Sequence, residues 1–206
     1  MTSGSDVYTI GYGHHSAAHF VSLLQENSIA AVADVRSQPY SKSNPEFSCD
    51  SLRESLTSAD IAYVFLGKEL GARTSDERCY RAGKVEYDLL AATPLFQAGL
   101  ARIEKGRMDR RIALMCAESD PLDCHRCILV GRHLFARDVP IQHILGDGRI
   151  EDHVSAMRRL IGLLRIYDAR THENEEDITT EAYRVQGERI AYRRIPEKSH
   201  QYNFWR

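Results

Sequence analysis

The chain has 206 residues, a formal net charge of −2, 43% apolar and 27% charged residues. That is enough chain to bury a real core, with an ordinary globular composition and too little net charge for a bulk electrostatic case for nucleic acid. No apolar run is long enough to span a bilayer, no leader-like start precedes the first strand, and five cysteines, an odd number, argue for reduced thiols in a cytoplasmic chain.

In chain order, "DVYTI" (6–10) is rich in β-branched and aromatic residues and reads as a strand ending at Gly11. Ser16 sits where an N-cap would, ahead of a helix whose Phe20, Leu23 and Leu24 share one face. "IAAVADVR" (29–36) is a continuous apolar run, as expected of a strand covered on both sides. A loop with Pro39 and Pro45 leads to a helix over "SLRESLTSADI" and a third strand over "AYVFLG" (62–67). "YDLLAATPLFQAGLARIEKG" carries helical periodicity around an internal proline. "RIALMC" (111–116) is a fourth strand, "CILVGRHLFARD" a helix, "PIQHILGDG" a fifth strand, and "RIEDHVSAMRRLIGLLRIY" a closing amphipathic helix.

Strands alternating with helices imply an α/β three-layer sandwich, a mostly parallel sheet covered by helices on both faces, over residues 1–168. From about Ala169 the chain becomes highly charged and poor in Leu, Ile and Val, so 169–206 reads as a helical extension or tail docking one apolar stripe.

In an open parallel sheet, ligands bind outside the carboxyl ends of the strands. Reactive residue types collect there: His14 and His15 after the first strand, Asp34, Arg36 and Ser37 after the second, Lys68 and Arg73 after the third, Cys116 and Glu118 after the fourth, Asp147 after the fifth. Cys116 at a strand end, with a helix starting near Cys124–Cys127, is placed for a lowered thiol pKa. Arg126 would hold an anion, and Glu118, His125 or Cys124 would serve as proton carrier or resolving thiol. A metal bound by Cys116, Cys124 and His125, with His14, His15 or Glu118, competes with this reading. It ranks third, behind the reading of Cys116 and Cys124 as two inert structural thiols, because adjacent Cys124 and His125 are expected to project apart, so neither metal nor cofactor is expected. Cys49, Cys79 and Cys127 read as structural thiols, and His19, His133, His143 and His153 as packing or surface residues.

The strand-end cysteine, loop and arginine-bearing helix are similar in layout to rhodanese-like sulfurtransferases and cysteine phosphatases, although "CAESDPLDCHR" is longer and more acidic than their tight loops. More specifically, "TIGYG", "ADVRSQPYSKSNPEF", "IAYVFLGKELGAR", "ALMCAESDPLDCHR" and "HILGDG", in this order from about Val7 to Asp152, resemble the family catalogued as domain of unknown function 488. Its pattern singles out Asp34, Arg36, Phe47, Tyr63, Gly67, Arg73, Cys116, Glu118, Cys124, His125 and Arg126. Where the family reads Gly-His-Ser this chain has "GYGHHS", so His14 or His15 takes that place. The resemblance implies no particular reaction. Two expectations stand: an enzyme using Cys116 on a small anionic substrate or nucleotide, or a non-catalytic module that binds a nucleotide or a base in nucleic acid through Arg36, Lys68, Arg73 and Arg126 with Tyr40, Phe47 or Tyr63 stacking.

Overall fold

The computed structural model describes residues 4–13, 15–166 and 174–194. Its strands are β1 (Val7–Gly11), β2 (Ala31–Asp34), β3 (Ala62–Phe65), a short antiparallel pair β4 (Tyr80–Arg81) and β5 (Lys84–Val85), β6 (Ile112–Cys116), β7 (Ile141–Ile144) and β8 (Ile150–Asp152). Its helices are α1 (Ala17–Glu26), α2 (Cys49–Thr57), α3 (Gly67–Leu70), α4 (Tyr87–Ala91), α5 (Pro94–Gly106), α6 (Arg132–Phe135), α7 (His153–Leu164) and α8 (Glu175–Ile190).

Six strands make one sheet in the order β3-β2-β6-β1-β7-β8, parallel except for β8 at the edge. The chain is thus an α/β sandwich with a mostly parallel sheet. From β1 the chain moves to β2 and β3 on one side, and α1 and α2 cover one face with Phe20, Leu24, Leu52 and Leu56 against Ile10, Val32 and Met115. It then reverses toward β6 and β7. Right-handed crossovers in the opposite direction must lie on the opposite face. There Phe96, Leu100, Leu129, Leu134 and Leu160 pack against Ala33, Leu114 and Ile141. Strand β6 lies in the middle, and all five of its residues are buried, which explains its unbroken apolar run.

Local chemistry sets the boundaries. Ser16 caps α1 by accepting from the His19 N–H, and Asp152 caps α7 by accepting from the Ser155 N–H. The periodic stretch 87–106 is two helices, because Pro94 cannot extend α4 and Thr93 starts a new N-terminus, its hydroxyl accepting from the Phe96 N–H at 3.2 Å. Thr93→Ala is expected to lower stability by about 1 kcal/mol in urea unfolding, the usual worth of such a cap. "RIED" at the head of the last expected helix instead includes β8, which pairs with β7. The helix expected over 127–138 begins as a π turn over Arg126–Gly131 before α6. Helix α8 buries Ile178, Ala182, Tyr183, Gln186 and Gly187, and Gln186 donates to the Leu122 carbonyl.

Candidate active site

The connection leaving β1 runs to one side of the sheet, and the connection leaving β6 crosses β1 to the other. These two neighbours therefore form the point where the winding reverses, and the crevice beyond their carboxyl ends is where such sheets bind ligands. Gly11 and Cys116 are paired in register at that place. The loop after Cys116 folds back over Gly11: a Cβ there would lie 1.8 Å from the Glu118 carbonyl oxygen, so only glycine lets the loop close. Backbone bonds from Tyr12 N–H to the Cys116 carbonyl and from Gly13 N–H to the Ala117 carbonyl tie the two rims together.

Beyond the closed loop is a cavity of about 330 Å³, bordered by Cys116, Glu118, His125, Arg36, Ser37 and Arg73 among others. Cys124 and Arg126 stand behind this wall, buried at 1% and 0% exposure. Six residues from three separated stretches thus meet at one hollow, with two more in contact behind them.

The chain delivers Cys124 and His125 to the same point through a change of backbone conformation. Cys124 is extended (φ −134°, ψ 140°) and His125 is helical (φ −60°, ψ −23°), so the two side chains swing together. This corrects the expectation that they diverge. His125 Nδ1 lies 3.7 Å from Cys116 Sγ and 3.8 Å from Cys124 Sγ, while Nε2 is 2.9 Å from the Val35 carbonyl. A carbonyl only accepts, so Nε2 carries the hydrogen and Nδ1 faces the sulfurs. Glu118, exposed on its outer side, brings a carboxylate oxygen to the same group, all four donor atoms lying within 4.8 Å of one another. This set could hold a metal ion, as could a second one made by Cys127, His143 and His153.

The electrostatics start from Arg126. Its guanidinium donates to the Glu118 and Ser119 carbonyls at 2.7 and 3.0 Å, and its Nε is buried without a partner. Among the described residues no carboxylate oxygen reaches ion-pair distance of it. A buried charge needs a counter-charge, and the candidates alongside are thiols. Burial opposes ionisation of Cys124, but a hydrogen bond from Cys116, the Arg126 charge and His125 together bring its pKa well below that of a free thiol; the Arg126 N–H also donates to Cys124 Sγ at 3.4 Å. Cys116 moves the other way, its pKa held well above the ordinary value by donation to Cys124 and by burial. Of the two, Cys124 is the thiol whose charge the surroundings favour, the reverse of the strand-end expectation for Cys116. Burial and the Cys124 charge raise the Glu118 pKa, so that carboxyl is readier to carry a proton. Burial works against the His125 charge, and the Cys124 thiolate outweighs it, raising that pKa.

Behind the cavity wall Asp34 pairs with Arg36, which turns its guanidinium along the Tyr12 ring, 5.5 Å from its centroid. Tyr12 in turn stacks on Phe47 at 4.2 Å. The remaining expected residues are placed elsewhere. Lys68 is exposed on α3 and does not border the cavity, and Asp147 pairs with Arg149 beside a different, exposed hollow. His15 packs edge-on against His19, while His14 lies outside the described residues. Sequence reasoning missed Tyr12, Tyr87, Ile190 and Tyr192 as cavity wall. The glycines around Tyr12 were a usable signal; the last two come from the far end of the chain and gave none.

Fold and site define an α/β protein with a paired-cysteine pocket at the reversal point of a parallel sheet. The chain belongs to the family described as domain of unknown function DUF488, which matches residues 16–132. No curated protein and no solved structure matches the chain. Among the described residues no helix is long and apolar enough to cross a membrane.

Proposed function

We propose that this chain is a thiol-dependent transferase or hydrolase for a small anionic or nucleotide-like substrate, with Cys116 as the attacking sulfur. The observation that carries the reading is the fully buried Arg126 guanidinium, which has two cysteine sulfurs beside it and, among the described residues, no carboxylate at ion-pair distance. Arg36 and Arg73 at the cavity would hold the substrate's negative charge. The Cys124 thiolate takes the proton of Cys116, whose sulfur forms a bond to the electrophilic atom of the substrate. The leaving group departs with the bonding electron pair and a proton from Glu118. Water or a second acceptor then attacks the adduct and returns the Cys116 thiolate. Where the electrophilic atom is the terminal sulfur of a sulfane-sulfur donor, Cys116 takes that sulfur as a persulfide and the rest of the donor leaves with the bonding pair. A second thiol rather than water then removes the outer sulfur; the strand-end position of Cys116 supports that form. The five free cysteines suit a reducing cytoplasm.

Iodoacetamide labelling with peptide mapping tests this. At pH 7 Cys116 should be alkylated, and phosphate or ADP should protect it. Cys124→Ala removes the partner that holds the Cys116 pKa up and leaves the Arg126 charge beside it, so it should speed that labelling while Cys49 keeps its rate. A Cys116 inert at every pH would end the enzymatic reading. A second reading rests on Tyr40, 71% exposed at the cavity mouth, where it would stack on a base whose phosphate meets Arg36 and Arg73. ADP or oligonucleotide binding that survives in Cys116→Ser, together with inert Cys116, would favour this binding module.

A further inference from the structure

On the helix-covered face opposite α1 and α2, three side chains from three elements meet in the core. Thr9 on β1 and His143 on β7 are neighbours in register, Cys127 is on the π turn, and His153 opens α7. His143 Nε2 and His153 Nδ1 are 3.0 Å apart, and Cys127 Sγ lies 3.7 Å from the first and 3.9 Å from the second. Cys127, His143 and His153 are exposed by 0%, 0% and 2%.

A hydrogen-bonded chain accounts for the histidines but leaves the thiol over. Of the two facing nitrogens, one carries a hydrogen and the other's lone pair receives it, so Cys127 S–H meets no free lone pair on either ring. A single ion engages all three donors. With metal–sulfur and metal–nitrogen bonds of about 2.3 and 2.0–2.1 Å, tetrahedral ligand atoms stand roughly 3.3–3.6 Å apart, close to the separations seen. The outer nitrogens are also provided for: His143 Nδ1 is 2.8 Å from Thr9 Oγ1 and His153 Nε2 is 2.7 Å from the Tyr183 hydroxyl. Partners of this kind orient metal-bound imidazoles.

We propose that Cys127, His143 and His153 form a buried site for a borderline transition-metal ion, zinc(II) first among them, separate from the Cys116 cavity. Three protein ligands leave the fourth position to water or another small ligand. His153 and Tyr183 border a cavity of about 620 Å³ between α6, α7 and α8, and the ion enters from that side. The bound ion pins the sheet, the π turn and α7 together, with Tyr183 of α8 behind it. The site owes nothing to the thiol chemistry proposed above: His143 and His153 lie outside the residues that the family matches.

The test uses the full chain, stripped with a chelator and titrated with cobalt(II) and zinc(II). The Cys116→Ser/Cys124→Ser double variant removes the sulfurs of the other cluster. It should still take up one ion per chain, with a thiolate-to-cobalt charge-transfer band and a raised Tm. Adding Cys127→Ser should abolish that band, and Tyr183→Phe, which leaves the ligands in place, should weaken binding by about 10–100-fold. A folded double variant that binds no cobalt, or a band that survives Cys127→Ser, would overturn the site. Should the double variant not fold, the native chain is titrated beside Cys127→Ser: one cobalt fewer per chain in Cys127→Ser supports the site, and an unchanged stoichiometry overturns it.

Discussion

Replacing Asp34 with alanine is expected to cost about 3–5 kcal/mol of folding stability, because it leaves a buried guanidinium without its counter-charge. Asp34 is fully buried and Arg36 is 6% exposed. One carboxylate oxygen accepts from the Arg36 backbone N–H and Nε at 3.1 and 2.9 Å; the other accepts from Arg36 Nη2 at 2.6 Å and the Tyr63 hydroxyl at 2.8 Å. The carboxylate outweighs the burial that disfavours the Arg36 charge, and burial together with that same carboxylate pushes the Tyr63 pKa up. Without it, Arg36 keeps the Phe47 carbonyl at 2.9 Å and the Tyr12 ring face, neither of which neutralises a charge. The urea midpoint should fall with an unchanged slope. The double variant Asp34→Ala/Arg36→Met should be more stable than Asp34→Ala alone, since it removes the stranded charge as well. A loss below about 1 kcal/mol in the single variant would mean that Arg36 reaches solvent when its partner is gone. The pair also sets the cavity: it fixes Arg36 beside the Tyr12–Phe47 stack, so a folded Asp34→Asn protein should lose phosphate protection of Cys116.

Much of this arrangement is legible in the sequence, and the parts that are not share a physical reason. The five parallel strands stand out as short apolar runs ended by polar or glycine residues, and an open parallel sheet brings such ends to one edge. That rule alone gathers Arg36, Ser37, Arg73, Cys116 and Glu118, and the loop after Cys116 adds His125. It also overreaches. Asp147 follows β7 but is carried off by the turn into β8, and Lys68 is on the exposed side of a one-turn helix that buries Gly67 and Leu70. The hairpin Tyr80–Val85 and strand β8 are too short to show a period of two. The partition of charge between Cys116 and Cys124 depends on where Arg126 points. That direction follows from the glycine-permitted closure of the loop over β1, a contact between residues 107 positions apart. The Cys127–His143–His153 group was hidden for a related reason. Each member alone is a plausible core residue, and only the strand order puts His143 beside Thr9 and under α8.

That same group makes the largest pH effect expected of the metal-free chain. Burial lowers the His153 pKa to about 4, and burial with the neighbouring His153 lowers that of His143 well below its ordinary value. Both rings are neutral in the folded protein, whereas in the unfolded chain they take up protons near pH 6.5. The unfolded state therefore binds more protons as pH falls below 6.5, and stability drops until the folded pKa is passed. For His153 alone the interval from about 6.5 to about 4 corresponds to on the order of 3 kcal/mol. His133, also lowered by burial, adds in the same direction. His125, raised by the Cys124 thiolate, opposes them. The lowered carboxyl pKa values of Asp76, Asp120, Asp147 and Asp152 act only at more acid pH. Urea unfolding in the presence of a chelator, between pH 7 and 5, isolates the histidine window. The native chain should lose stability steadily across it, and His153→Gln should flatten the slope even if the variant starts less stable, because the slope counts protons rather than contacts. A native profile level from pH 7 to 5 would show that these imidazoles already reach water in the folded state, and with it the enclosure on which the buried cluster depends would be gone.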